Sequence, residues 1–139
     1  MRILQVHNSY QRRGGEDQVC VAEYELLKSH GHHVIQYLKH NDAIRGMSSI
    51  GIGLRTIWNR DTYQQLRTLI RQESPDVVHA HNTFPLVSPA LYYAAAAEHV
   101  PVVQTLHNYR LLCPAATFFR NGRVCEKCMH SSVPYQSPL

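Results

Sequence analysis

The chain has 139 residues, a length that suits one domain, and its 44% hydrophobic and 17% charged content is ordinary for a soluble globular protein able to build a core. No run of about 18 apolar residues occurs, and the first residues lack the apolar region and small-residue cleavage site of a secretory signal, so the expected location is cytoplasmic. Four cysteines in this length are too sparse for a secreted disulfide scaffold, and the net charge of +4 with ten histidines suits anionic ligands or a membrane surface. The basic residues are scattered rather than striped, which argues against a nucleic-acid partner.

In chain order, residues 2–7 read as a buried strand through Ile3, Leu4 and Val6. A loop over 8–15 ends in Gly14-Gly15 and leads into a helix over 16–30. Val19, Ala22 and Leu26 recur there at helical spacing, Glu16 and Asp17 occupy the first turn, and Gly31 is the stop. Residues 33–39 form a second strand. Residues 40–55, with Gly46, Gly51, Gly53 and Ser48-Ser49, read as a flexible loop. A helix over 61–72 carries the stripe Tyr63, Leu66, Leu69, Ile70, with Asp61 and Gln64 as a capping box and Pro75 as its end. Residues 76–80 form a third strand. Ser88 as N-cap and Pro89 as first residue then open a helix that runs through Ala97 to near His99. Residues 101–106 form a fourth strand, and Asn121-Gly122 turns a small hairpin over 118–125. This alternation predicts an α/β fold: a Rossmann-like parallel sheet with helices on both faces. The helical pattern stops after the fourth strand, so the sheet reads as truncated, with an exposed edge or apolar face that favours a homodimer, partial disorder after about Cys113, or low stability.

Ligands of open parallel sheets bind beyond the carboxyl ends of the strands. Three loops at that edge stand out. Gly14-Gly15 before a helix N-terminus offers backbone amides and a helix dipole to an anion such as a diphosphate, or is a plain turn. His81-Asn82 and His107-Asn108 each leave the end of a strand, and their donor and acceptor groups suit a polyhydroxyl ligand or serve the loop backbone. His79 and His81 share a strand face, a metal-binding spacing with no third ligand evident. Cys113-x11-Cys125-x2-Cys128 contains a zinc-ligand spacing and needs a fourth donor from His107, His130 or beyond Leu139; the alternative is three reduced thiols. No nucleophile–base pair and no catalytic carboxylate pair is evident.

Gly14-Gly15-Glu16-Asp17, the segment from Leu26 to His32, Pro75-Asp76-Val77-Val78-His79-Ala80-His81-Asn82 and the run from Pro101 to Arg110 together resemble the N-terminal, acceptor-side domain of family-four glycosyltransferases, retaining enzymes of the GT-B fold. The resemblance implies a second, C-terminal domain that binds the nucleotide-sugar and carries an E-x7-E motif, which this chain lacks. It implies that Gly14 and Gly15, with Glu16 and Asp17, sit against the donor diphosphate, and that His107 is the catalytic-site histidine contacting the transferred sugar. His81, Asn82, Asn108, Tyr109 and Arg110 are implied on the substrate side. It further implies transfer to a glycan or lipid-linked acceptor with retention, without an enzyme nucleophile, and in bacterial polysaccharide biosynthesis. No cofactor is required for catalysis, and any zinc on Cys113, Cys125 and Cys128 is structural. Peripheral contact with the inner membrane face is compatible with this reading, and the 139 residues alone are expected to be inactive. The competing readings are a non-catalytic carbohydrate- or zinc-binding module and a nucleotide-binding regulator, for which Asp42 is the one acid near the end of the second strand.

Overall fold

The computed structural model describes residues 1–11 and 14–129; the loop positions 12 and 13, the polar tail and His130 lie outside the described residues. The chain forms two compact units, Met1–Thr105 and Leu106–Leu139.

The first unit is a four-stranded parallel sheet in the order β2-β1-β3-β4. Strand β1 spans Arg2–Ser9, β2 His33–His40, β3 Val77–Ala80 and β4 Val102–Gln104. The register runs from Arg2 opposite His33 to Ser9 opposite His40. On its other side β1 pairs Ile3 with Val77 through Val6 with Ala80. The chain therefore grows outward to β2, then returns to add β3 on the opposite side of β1. That reversal is a topological switch point, and the gap beyond the ends of β1 and β3 is where such sheets bind ligands.

Alternation along the central strands gives the sheet two unlike faces. Leu4, Val6, Val78 and Ala80 point to one face and are buried with Leu66, Ile70, Leu91 and Ala94. Those last four come from α3 (Arg60–Glu73) and α4 (Ala90–Ala97), which pack on each other. The opposite face presents Gln5, His7 and His79 beneath α1 (Gly15–Ser29), where Gln5 reaches the Cys20 carbonyl and His7 reaches Asp17. The predicted α/β class and the placement of helices on both faces hold.

Three local expectations are corrected. Residues 40–55 are not a loop: a 3-10 turn spans Asn41–Ile44, and α2 spans Ser49–Ile57 with the Ser48 side chain accepting from the Gly51 amide. A serine cap was enough to start a helix in which glycine lowers but does not abolish propensity. The cap of α3 is Asn59 rather than the Asp61–Gln64 box; its Oδ1 accepts from the Thr62 amide. Ser88 is not the N-cap of α4: Pro89 takes that position, and Ser88, with φ 61°, accepts from the Ala90 amide one residue further out.

The second unit, over its described part, consists of turns and a hairpin, β5 (Phe119–Arg120) with β6 (Arg123–Val124). Asn121 and Gly122 both have positive φ, at 53° and 74°, the backbone a tight two-residue hairpin turn requires.

Among the described residues no helix is long and apolar enough to cross a membrane.

Candidate functional site at the switch point

Every strand that enters the switch point delivers a polar residue there. Asn8, fully buried at the end of β1, is the hub. Its amide donates to the Asn82 carbonyl at 2.8 Å, its Nδ2 to Asn41 Oδ1 at 2.7 Å, and its Oδ1 accepts from the Leu86 amide at 3.2 Å. Asn82 answers by donating Nδ2 to the Asn8 carbonyl, while its Oδ1 accepts from the Phe84 amide. The Asn82 side chain therefore serves the loop that carries it.

His7 sits on the α1 side. Its Nε2 is 2.8 Å from Asp17 Oδ1, and its Nδ1 accepts from the Asn82 amide at 3.4 Å. An accepting Nδ1 and an Nε2 facing a carboxylate place a ring proton on Nε2. Asp17 Oδ2 also accepts from the Gly14 amide at 2.8 Å. Burial pushes the Asp17 carboxyl up, but hydrogen bonds from His7, the Gly14 amide and the Ser9 hydroxyl outweigh that and hold it below the ordinary carboxylate range. Asp17 thus locks the first turn of α1 onto the end of β1. Gly14 and Gly15 lie at that turn, and a Cβ on either would meet nothing within 4 Å. A cleft of about 620 Å³ lies alongside, lined by His7, Ser9, Asp17, Gln18, Gln36 and His40 among others. Cys20 also lines the cleft; burial, with Glu23 and Asp17 nearby, pushes its thiol up to about 11, which makes it a poor nucleophile.

His81 is 1% exposed. Its Nε2 lies 2.9 Å from Glu23 Oε2 and 3.2 Å from Gln5 Nε2. His79 stacks on it at 4.5 Å between ring centroids and bonds the Thr105 hydroxyl through Nε2 at 2.8 Å. Glu23 is the third donor missing from the sequence reading of His79 and His81: donor atoms of all three lie within 4.8 Å of one another, and among the described residues this is the group able to hold a metal ion as it stands.

His107, Asn108, Tyr109 and Arg110 belong to the second unit. There Asn108 Oδ1 accepts from the Arg110 amide at 3.0 Å, and the half-exposed Tyr109 ring lies 5.0 Å from that of Phe118. The predicted substrate residues accordingly fall into two groups, one on each unit. Two residues that sequence reasoning passed over, His7 and Asn8, are central to the first. The signal was present: His7-Asn8 is a third His-Asn pair, and it straddles the expected end of the first strand at residue 7, whereas β1 runs on to Ser9.

A parallel Rossmann-like sheet with polar groups gathered at its switch point defines a ligand-binding α/β domain. Over residues 3–124 the chain matches Glycosyltransferase Family 4. It belongs to that family, as an N-terminal glycosyltransferase domain. No curated protein and no solved structure matches the chain.

Proposed function

We propose that this domain forms the acceptor-side wall of a glycosyl-transfer site. The donor is a nucleotide-sugar held mainly by a further domain, and the acceptor is a glycan or lipid-linked sugar. The observation that carries this reading is the family match over residues 3–124 together with the α1 N-terminus at Gly14-Gly15 beside the switch point. Asp17, tied to His7 and to the Gly14 amide, acts as the residue that positions this turn for the donor diphosphate. Transfer proceeds with retention and without an enzyme nucleophile. That agrees with Ser88, whose hydroxyl accepts from the Asn59 and Ala90 amides, and with Asp17, whose carboxylate is held by its neighbours. His107 contacts the transferred sugar, and Asn108, Tyr109 and Arg110 meet the acceptor.

The test is amide chemical-shift mapping of the 139-residue chain. Inorganic pyrophosphate is expected to shift Gly14, Gly15, Glu16 and Asp17, and oligosaccharides to shift Asn108, Tyr109 and Arg110. The chain mixed with nucleotide-sugars is expected to neither transfer nor release sugar. Transfer by these residues alone, or no shift with either probe at millimolar concentration, would overturn the reading.

A further inference from the structure

The second unit has almost no core. Among its described residues, 106–129, Cys113 alone is buried, and Leu106, Tyr109, Leu111, Leu112, Phe119, Val124 and Met129 are exposed. Two strands of two residues each cannot hold such a segment in one shape, and units this small ordinarily rely on a disulfide or a metal. The cysteines are unpaired thiols, which leaves the metal.

The chain is already arranged for one. Cys113 is buried, and its loop turns back on it, the Ala116 amide donating to the Cys113 carbonyl at 2.7 Å. Ala116 and Phe118 adopt φ of 63° and 50°, a left-handed backbone unfavourable for such residues. The Cys125 amide bonds the Phe118 carbonyl at 2.8 Å, which brings the hairpin's end back to that loop. Cys113, Cys125 and Cys128 then line one cavity of about 20 Å³, room for a single ion.

We infer that Cys113, Cys125 and Cys128 bind one zinc ion that fixes the fold of the second unit, independently of sugar transfer. Without the ion, the three sulfurs do not all lie within 4.8 Å of one another. Zinc, at about 2.3 Å from each sulfur, requires the C-x2-C turn to draw in onto Cys113. A fourth donor completes the tetrahedron.

The experiment is metal analysis of the full 139-residue chain, purified without a His-tag under reducing conditions. One zinc per chain is expected, and a cobalt-substituted sample is expected to show thiolate-to-metal charge-transfer absorption. Cys113→Ser, Cys125→Ser and Cys128→Ser should each lower zinc at least tenfold. Cys20→Ser and His81→Ala should leave it at one. Methyl resonances of Leu66 and Leu91, unchanged in every cysteine variant, guard against general misfolding. Zinc-free wild-type protein, zinc retained in Cys125→Ser, a Cys–Cys disulfide in its place, or zinc lost with His81→Ala but kept in the cysteine variants would each overturn the proposal.

Discussion

Asp17 does more than its position in the first turn of a helix predicts. An acid there normally gains a few tenths of a kcal/mol from the helix dipole. Here it also accepts from His7 and from the Gly14 amide, and hydrogen bonds to a charged group contribute about 1.5–3 kcal/mol each in net terms. Asp17→Asn is therefore expected to cost about 2 kcal/mol at neutral pH. The pH dependence has a fixed sign. The folded carboxyl titrates below its ordinary value of 3.8, so its contribution is present above about pH 4 and is lost as the pH falls through the folded pKa. Thermal melts from pH 7 to pH 3 should show the variant and the wild type converging on the acid side. A gap that stays constant down to pH 3 would mean that the carboxylate charge is irrelevant. Residues of this kind were half legible in the sequence. His-Asn pairs at strand ends marked the carboxyl edge of the sheet, but Glu23 could not be found, because α1 meets His79 and His81 only after β1 and β3 have paired.

At the scale of elements, two helices with side-chain caps show why one capping motif has unequal consequences. Asn59 at the start of α3 is 5% exposed; besides capping Thr62 it donates Nδ2 to the Leu86 carbonyl at 2.6 Å. Ser48 caps α2 in the open, on a helix with no buried residue, whose Ile50, Leu54 and Ile57 face solvent. Asn59→Ala is expected to cost about 2 kcal/mol, a lost cap plus a lost buried hydrogen bond. Ser48→Ala is expected to cost about 0.5 kcal/mol, because α2 can fray without opening the core. Urea unfolding with a shared m-value resolves that difference. Equal losses would mean that α2 is as firmly joined to the core as α3. β1, β3, α3 and α4 were legible because each has a buried stripe or run that imposes periodicity, whereas α1 was placed by its end signals, since Val19 and Leu26 of its predicted stripe are exposed. Residues 40–55 were misread although Ile50, Leu54 and Ile57 recur at i, i+4 and i+7, because Gly46, Gly51 and Gly53 read as breakers and outweighed that stripe.

At the scale of the molecule, the two units draw on different sources of order. The central core cluster, from Leu4 through Leu66 and Leu91 to Ala95, lies wholly within Met1–Thr105. So do the four parallel strands and the polar network around Asn8. Glu98 adds a clamp inside this unit: Arg67 and Arg71 bond its two oxygens at 2.6 and 2.9 Å and hold its carboxyl below the ordinary range. None of these interactions needs a residue after Thr105. A chain ending at Thr105 is therefore expected to fold cooperatively, with a melting temperature within about 5 °C of the full chain, since 1 kcal/mol shifts a domain of this size by about 4–8 °C. Calorimetry of the two chains decides it. A shortened chain that melts without a cooperative transition would show that the sheet depends on the second unit. The polar face of the sheet explains why that outcome is not expected. Gln5 donates to the Cys20 carbonyl and accepts from Gln36, while His81 faces Gln5 and Glu23. Polar side chains that satisfy one another beneath α1 let that face stay folded without an apolar cover.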